Sequence, residues 1–329
     1  MSVRVKQIAK LLAKVFVSVG LLAWVFSQVD YEQFREAVAA TRWHYVVGVW
    51  FATVLFSLLQ SYALQIILRK QGCDVGLAKL FATTCITAYY SLILPGIVST
   101  GVKWYILKRS TGKGANVLSS MLYNQATLSV VMVLAGLAAL ALAGPARDAS
   151  PGAGRPYCVP LVCITLFTLV LLLYMLVLSE RTGGPVIRWL VAILKPLPRP
   201  IREKGQSLLQ QIAVFQTAGW RFHLIVASIS VIDGLLVGLL IYFLAARAAY
   251  VVVPIGVLIW LCAVVFVLSK IPITIANLGV REMTLVGLLG LYGVDKPAAL
   301  LMSVVMFSGL LFLGLLGAAY QLHWSLTKR

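Results

Sequence analysis

Charged and helix-breaking residues are concentrated in one stretch of an otherwise strongly apolar chain, residues 270–283. It carries two bases, one acid and two helix breakers: Lys270, Arg281, Glu282, Pro272 and Gly279. A charged side chain at membrane depth costs at least roughly 2.5 kcal/mol and is tolerated where protein or a water-filled cavity surrounds it. A helix interrupted at membrane depth is likewise tolerated only where its free backbone groups are buried in protein or line a water-filled cavity. The stretch therefore indicates an interrupted helix beside an internal cavity; the alternative is a tight turn outside the membrane followed by a normally capped helix.

The composition places the chain among helical membrane proteins with several spans. Hydrophobic residues make up 61% of the 329 residues and charged residues only 12%, whereas about a quarter of the residues in a soluble domain are charged. A soluble domain is therefore excluded. The net charge of +18 is interpreted by its location, because lysine and arginine accumulate on cytoplasmic loops and orient the spans. Nucleic acid is not expected as a partner.

The sequence offers no set of residues for metal binding or for nucleophilic catalysis. The five cysteines have no paired metal-ligand spacing, and the three histidines lie far apart. There is no Ser-His-Asp set and no glycine loop that would bind a phosphate. We therefore expect no metal, no cofactor and no enzymatic activity.

Apolar runs predict about six full spans. A retained first span ends near Gln28. The later spans cover approximately residues 43–70, 115–144, 157–178, 222–245 and 298–323. Two further runs are interrupted: residues 80–94 stop at Pro95 and resume after Gly101, and residues 251–268 lead into the stretch described above. Bases flank the first interrupted run on both sides, which indicates a re-entrant hairpin rather than a full crossing.

The distribution of bases orients this layout. The N-terminus, the inner loops, the first hairpin and the C-terminus together hold 20 of the 28 lysines and arginines, so both termini are predicted to be cytoplasmic. If the first interrupted segment crossed the membrane fully, the seven bases between Arg181 and Arg221 would lie outside, contrary to the positive-inside rule. The hairpin layout is therefore preferred. A basic amphipathic insertion, approximately residues 183–219, either lies on an anionic leaflet or packs on the cytoplasmic helix ends.

The two interrupted segments resemble each other, which predicts an internal repeat. Each has a proline, then small residues, then Gly-Val-base, ending at Lys103 in the first segment and at Arg281 in the second. Each half reads span, span, broken hairpin, span, with opposite orientation. The chain is thus expected to be a single membrane domain, residues 1–329, built from inverted repeats of approximately 1–150 and 151–329. Inverted repeats with broken helices are the arrangement in which transporters bind substrate near the bilayer midplane.

The paired motifs resemble those of the lysylphosphatidylglycerol synthase transmembrane (flippase-like) family, over nearly the whole chain. They are LPGIVSTGVKWYILKRSTG at residues 94–112, and PITIANLGVREM at residues 272–283 with LYGV at 291–294. The second matches closely, apart from Asn277 where the family commonly has glycine. In the first, Thr100 and Lys103 stand where the family usually has an acidic residue and an arginine. Members fused to an aminoacyl-transferase domain also modify the lipid; this chain is expected to be the membrane domain alone.

An anionic lipid head group requires a cation, backbone N–H donors and a polar path, and the two motifs contain these. Lys103 and Arg281 supply charge, and the helix starts at Gly101 and Gly279 supply N–H groups. Glu282 either pairs with a base or holds it in place. Asp233, in the fifth span, is either a counter-ion or proton acceptor, or a polar residue in helix packing. The candidate substrate-binding residues are Arg281, Glu282, Lys103, Asn277, Gly279, Gly101, Thr100 and Asp233.

Three functions remain open at this level. The first is translocation of a polar or anionic-headed lipid across the cytoplasmic (inner) membrane, through a midplane cavity. The second is an accessory membrane subunit of a lipid or glycolipid biosynthetic pathway, and the third is a membrane-embedded lipid-modifying transferase. The expected partner is a membrane lipid; a second copy of the chain or a biosynthetic enzyme is a further possibility.

Overall fold

The computed structural model describes residues 24, 27, 30–94, 96–143, 158–178, 211, 214–270 and 277–326. Within these ranges every regular element is a helix. In chain order the helices are α1 (Tyr31–Ala39), α2 (Trp43–Lys70), α3 (Leu77–Ile93), α4 (Gly96–Thr111), α5 (Gly114–Ala143), α6 (Cys158–Leu178), α7 (Trp220–Ala248), α8 (Ile255–Leu268), α9 (Val280–Gly290) and α10 (Lys296–Leu326). The prediction of an all-α membrane protein is confirmed.

Four helices of the described part are long and apolar enough to cross a membrane: α2, α5, α7 and α10. Each begins and ends within three residues of the run predicted from the sequence. Helix α6 also coincides with its predicted run. Nearly all of the predicted first span, the loop after α5 and most of the basic insertion lie outside the described residues.

Both interrupted segments are helix breaks. Helix α3 ends at Ile93, Leu94 has extended backbone (φ −112°, ψ 150°), and α4 begins at Gly96. Helix α8 has only 14 residues, which at 1.5 Å per residue is about 21 Å, shorter than the roughly 30 Å hydrocarbon core of a bilayer. After it, the chain enters α9 through Gly279, whose φ of 86° is readily adopted by glycine because it has no Cβ.

The helices pack closely where glycines face a neighbouring helix. Helix α3 lies along α10, and α8 lies along α5. A Cβ added at Gly317 of α10 would come 2.0 Å from the Cys85 carbonyl oxygen of α3, and one added at Gly136 of α5 would come 2.3 Å from Cβ of Ala263 in α8. Small residues permit this approach, which is a main source of packing energy between helices in lipid.

A large apolar core lies between α2, α5, α7, α8, α9 and α10. Large apolar side chains on the outer helix faces are exposed, such as Phe51, Leu161 and Leu315, as expected for surfaces that contact lipid. Exposed tryptophans stand at the beginnings of α2 and α7, Trp43 and Trp220. Tryptophan is enriched at the membrane–water interface.

Candidate functional site

The second broken motif contains a buried ion pair at the beginning of α9. Arg281 and Glu282 are 9% and 3% exposed, and Nη2 of Arg281 donates to Oε1 of Glu282. Ser303 of α10 completes the group: Arg281 Nε donates to its hydroxyl over 2.8 Å, and this hydroxyl donates to Glu282 Oε1 over 3.0 Å. Charge-assisted hydrogen bonds are roughly twice as strong as neutral ones. The base and the acid are therefore held together and tied to α10.

The local backbone explains why this pair forms. Asn277 and Gly279 both have positive φ, 57° and 86°, and the turn that they make ends as α9 begins. Glu282 is the third residue of α9, and its Oε2 accepts the N–H of Gly279 over 2.7 Å. A carboxylate is favourable and a cation unfavourable at a helix N-terminus. Glu282 thus caps the helix and compensates the charge of Arg281.

A cavity of about 100 Å³ adjoins this pair. Its polar lining comes from Ser269, Asn277, Arg281 and Thr284, and its apolar lining from α8, α9 and α10. A water requires about 10–15 Å³ of such a cavity volume, so several waters fit. Arg281 uses Nε and Nη2 inside the protein, and no hydrogen bond to Nη1 is found in the described part of the chain. The guanidinium can therefore donate to an anion in this cavity.

The first broken motif holds its base differently. Nζ of Lys103, in α4, donates to Oγ1 of Thr84 in α3 over 3.1 Å, and this hydroxyl lies 3.0 Å from Oγ of Ser61 in α2. Within the described ranges, no carboxylate lies within 4 Å of Lys103. The lysine thus extends from the broken helix toward hydroxyl groups of two neighbouring helices, without a counter-charge.

The hydroxyl groups near the two bases lie at similar distances from a helix end, the C-terminal end of α2 for Ser61 and the N-terminal end of α10 for Ser303. Ser61 precedes Arg69, at the basic end of α2, by about two helical turns, and Ser303 follows Lys296, at the start of α10, by about two turns; each distance is roughly 10–12 Å. No hydrogen bond or ion pair among the described residues joins Lys103 to Arg281. The structure therefore brings the predicted residues together as two groups, not one.

The remaining predicted residues divide between these groups and a third position. Asn277 and Gly279 belong to the second group. Thr100 and Gly101 are exposed on α4. The prediction of a helix start at Gly101 is wrong, because α4 begins at Gly96 and Gly101 is its sixth residue. A Cβ at Gly101 would meet nothing within 4 Å, so no close approach requires this glycine. Asp233 lies apart, 2% exposed, near the middle of α7. In the described part of the chain no group of three or more His, Cys, Asp or Glu side chains could hold a metal ion.

The hydroxyl partners Ser61, Thr84 and Ser303 are not among the residues predicted from the sequence. Each is a polar residue inside an apolar helix, which is a usable but weak signal, since such residues also join membrane helices by hydrogen bonds. Ser61 belongs to a buried series at four-residue spacing, Ser57, Ser61 and Gln65, which lies on one face of α2. That spacing is the stronger signal, because it predicts a polar stripe facing other helices.

Comparison with known proteins identifies the chain at the family level. The family model of the lysylphosphatidylglycerol synthase TM region matches residues 11–318. Neither the comparison with curated proteins nor that with solved structures found a match. The matched region includes both broken motifs, the buried pair at α9 and the lysine of α4.

Proposed function

Because this chain belongs to the lysylphosphatidylglycerol synthase transmembrane-region family, we propose that it translocates a lipid with an anionic or polar head group between the leaflets of the cytoplasmic membrane. Both termini are cytoplasmic in this proposal. The main support for this proposal is the environment of Lys103. This base lies among membrane helices, and its hydrogen-bond partner is the neutral hydroxyl of Thr84.

An uncompensated ammonium in this position favours an anionic ligand. Bases inside membrane proteins usually pair with an acid or with backbone carbonyls and mark substrate pathways. The equivalent base in the other motif, Arg281, has its acid as the next residue, Glu282, whereas the residue after Lys103 is Trp104. A phosphate of a lipid head group would supply the missing negative charge at Lys103, and the Thr84 and Ser61 hydroxyls lie within reach of the same ligand.

The proposed inverted repeat is supported by reciprocal packing. Under the repeat, α2 corresponds to α7, α3 to α8, α4 to α9 and α5 to α10. Helix α3 packs on α10 of the other half, and α8 packs on α5 in the same way. The exposed Trp43 and Trp220 begin equivalent helices. A two-fold axis in the membrane plane that relates the two halves would produce this reciprocal packing. It would also place the two interfacial tryptophans on opposite sides of the membrane.

In such an arrangement the two broken hairpins enter the membrane from opposite faces. The shortness of α8, 14 residues, fits a re-entrant element. Lys103 would then be reached from the cytoplasmic side and Arg281, beside its cavity, from the outer side. A head group that moves from one to the other would exchange a bond to an ammonium for a bond to a guanidinium that Glu282 partly neutralises. Unequal affinity for the two positions would allow release on the outer side.

The test is translocation of labelled lipid in liposomes that contain the purified protein. Lys103→Ala is expected to reduce the rate for a labelled phosphatidylglycerol at least tenfold, because the charge that binds the head group is lost. Lys103→Arg is expected to keep a measurable rate. Lys79→Ala is the matched control, since Lys79 is an exposed base of the adjacent helix α3, and wild-type rates are expected.

Two results would contradict the proposal. If the wild-type protein moves neither labelled phosphatidylglycerol nor a labelled zwitterionic lipid, the proposal of lipid translocation is wrong. Equal rates for Lys103→Ala and Lys79→Ala would show that the head group does not contact this base. The alternatives of an accessory subunit and of a transferase have no such observation in their favour, and Glu282, the acid that a transferase would need at this site, is already bonded to Arg281.

A further inference from the structure

Asp233 is a buried acid that the head-group path described above does not use. It lies near the middle of α7, between Trp220 and Arg247, and is 2% exposed. Its Oδ1 is buried and has no hydrogen-bond partner among the residues that the structure describes. A buried carboxyl oxygen without a donor is costly in a low-dielectric environment. An acid retained in such a position is a functional-site hypothesis by default.

The backbone around Asp233 is also unusual. Residues Val231–Val237 form a π-helical turn inside α7. Such turns, with i→i+5 hydrogen bonds, are rare and occur frequently at functional sites. The turn packs closely on its buried side, since a Cβ added at Gly234 would come 2.5 Å from Cδ1 of Leu128 in α5. The wide turn is therefore fitted against the bundle and keeps Asp233 on a buried face.

The groups that could compensate a charge on Asp233 are few. Besides the rest of α7, the turn packs against α2 and α5. The titratable or charged residues there are His44, Tyr45, Tyr62, Arg69 and Lys70 on α2, Tyr123 on α5, and Arg221, His223, Tyr242 and Arg247 on α7; Cys262 of α8 faces the nearby Gly238. No hydrogen bond or ion pair links any of them to Asp233 in the described structure.

We propose that Asp233 is a proton-binding site and that its protonation is coupled to lipid translocation. The inference rests on the proposed translocation function. The reaction is addition of H⁺ to the carboxylate to give the neutral acid, and it needs no other reactant. A proton fits better than a metal ion, which requires several oxygen, nitrogen or sulfur ligands, because the described residues form no metal-binding group.

The buried position explains how protonation would act on the helices. The neutral acid fits the buried side of the π-helical turn, which packs against α2 and α5. The carboxylate requires water or donors, so the turn must separate from these two helices to admit them. The two protonation states thus favour two arrangements of α7 against α2 and α5. A transporter that alternates between two such arrangements can use a proton gradient to drive its lipid in one direction.

The first measurement uses wild-type protein alone. Labelled phosphatidylglycerol is followed in proteoliposomes with equal pH on both sides and with an imposed difference of about one pH unit. If one proton moves with one lipid, such a difference shifts the steady-state ratio of lipid between leaflets about tenfold. A ratio that stays the same under the gradient overturns the coupling, whereas absence of any translocation at equal and at unequal pH overturns the proposed function instead.

The second measurement identifies the residue. In Asp233→Asn the gradient is expected to have no effect on the lipid ratio. Infrared difference spectra over a pH titration should show a protonated-carboxyl band in wild type that is missing in Asp233→Asn and present in Asp74→Asn. Asp74 is a suitable control because its side chain is 87% exposed. A wild-type response to the gradient in Asp233→Asn, or a carboxyl band that survives that substitution, overturns the assignment to Asp233.

Discussion

The buried pair of Arg281 and Glu282 at the beginning of α9 is expected to contribute strongly to the free energy of unfolding. Breaking a buried ion pair by removing one partner costs about 3–5 kcal/mol. In Arg281→Ala, Glu282 keeps two donors, the Gly279 N–H and the Ser303 hydroxyl. We therefore expect the free energy of unfolding to fall by about 3 kcal/mol, the lower end of this range. In Glu282→Ala, Arg281 keeps its hydrogen bond to Ser303 and its position over the Phe307 ring, but α9 loses its cap, worth about 1 kcal/mol. We therefore expect a larger loss, about 4–5 kcal/mol.

The free energy of unfolding would be measured by titration with sodium dodecyl sulfate in mixed micelles, followed by tryptophan fluorescence. The double variant should lose less than the sum of the single losses, with a coupling free energy on the order of 2–3 kcal/mol, because the two residues share their partners. The exposed pair Arg69–Asp74, with 3.5 Å between Nε and Oδ1, is the matched control. Arg69→Ala should cost less than about 1 kcal/mol, as exposed pairs contribute little.

Several outcomes would refute this reasoning. Losses for Arg281→Ala no larger than for Arg69→Ala would mean that the pair does not brace the hairpin. The opposite order, with Glu282→Ala milder than Arg281→Ala, would mean that Glu282 is not the cap. An Arg281→Ala protein that is stable but inactive would favour direct head-group binding by the guanidinium. In that case Arg281→Lys should also be inactive, because an ammonium does not replace a bidentate contact to phosphate.

Two further predictions test topology and packing. In a cysteine-free background, single cysteines at Gly152 and within residues 30–36 should be labelled from outside and cysteines within 199–204 should not; the reverse pattern would overturn the orientation. Gly317→Ala should destabilise the protein by at least about 2 kcal/mol, since the new Cβ would overlap the α3 backbone, whereas Gly287→Ala in α9, which meets nothing within 4 Å, should be neutral or stabilising by up to about 1 kcal/mol. Thermal unfolding of both variants in detergent decides this, and equal stability would contradict the close contact of α3 and α10.

The helices were predictable because the bilayer leaves few choices. A run of about 20 apolar residues must satisfy its backbone internally, so it forms a helix with ends set by polar residues. Trp43 and Lys70 bound such a run in the sequence and bound α2 in the structure. The helix breaks were predictable for a related reason, since proline and glycine interrupt the apolar runs at both motifs.

The contacts between helices were not predictable in the same way. The pairing of Lys103 with Thr84, and of Arg281 with Ser303, depends on which helix faces meet, and local pattern does not determine this. The π-helical turn at Asp233 was also missed. Its widened geometry adds one residue to a turn without any proline, and the apolar residues on both sides continue the helical pattern in the sequence. The turn packs against α2 and α5, and the local sequence does not reveal these contacts.

The close contact of α3 with α10 also has a consequence for biosynthesis. Helix α3 leaves the ribosome early, but the helix against which Cys85 packs most tightly, at Gly317, is the last helix described. At usual synthesis rates α10 follows on the order of ten seconds or more later. During that interval the face of α3 around Cys85 must be covered by lipid or by an insertion chaperone. Premature truncation before α10 should therefore leave a chain that inserts its early helices but is recognised and degraded as unassembled.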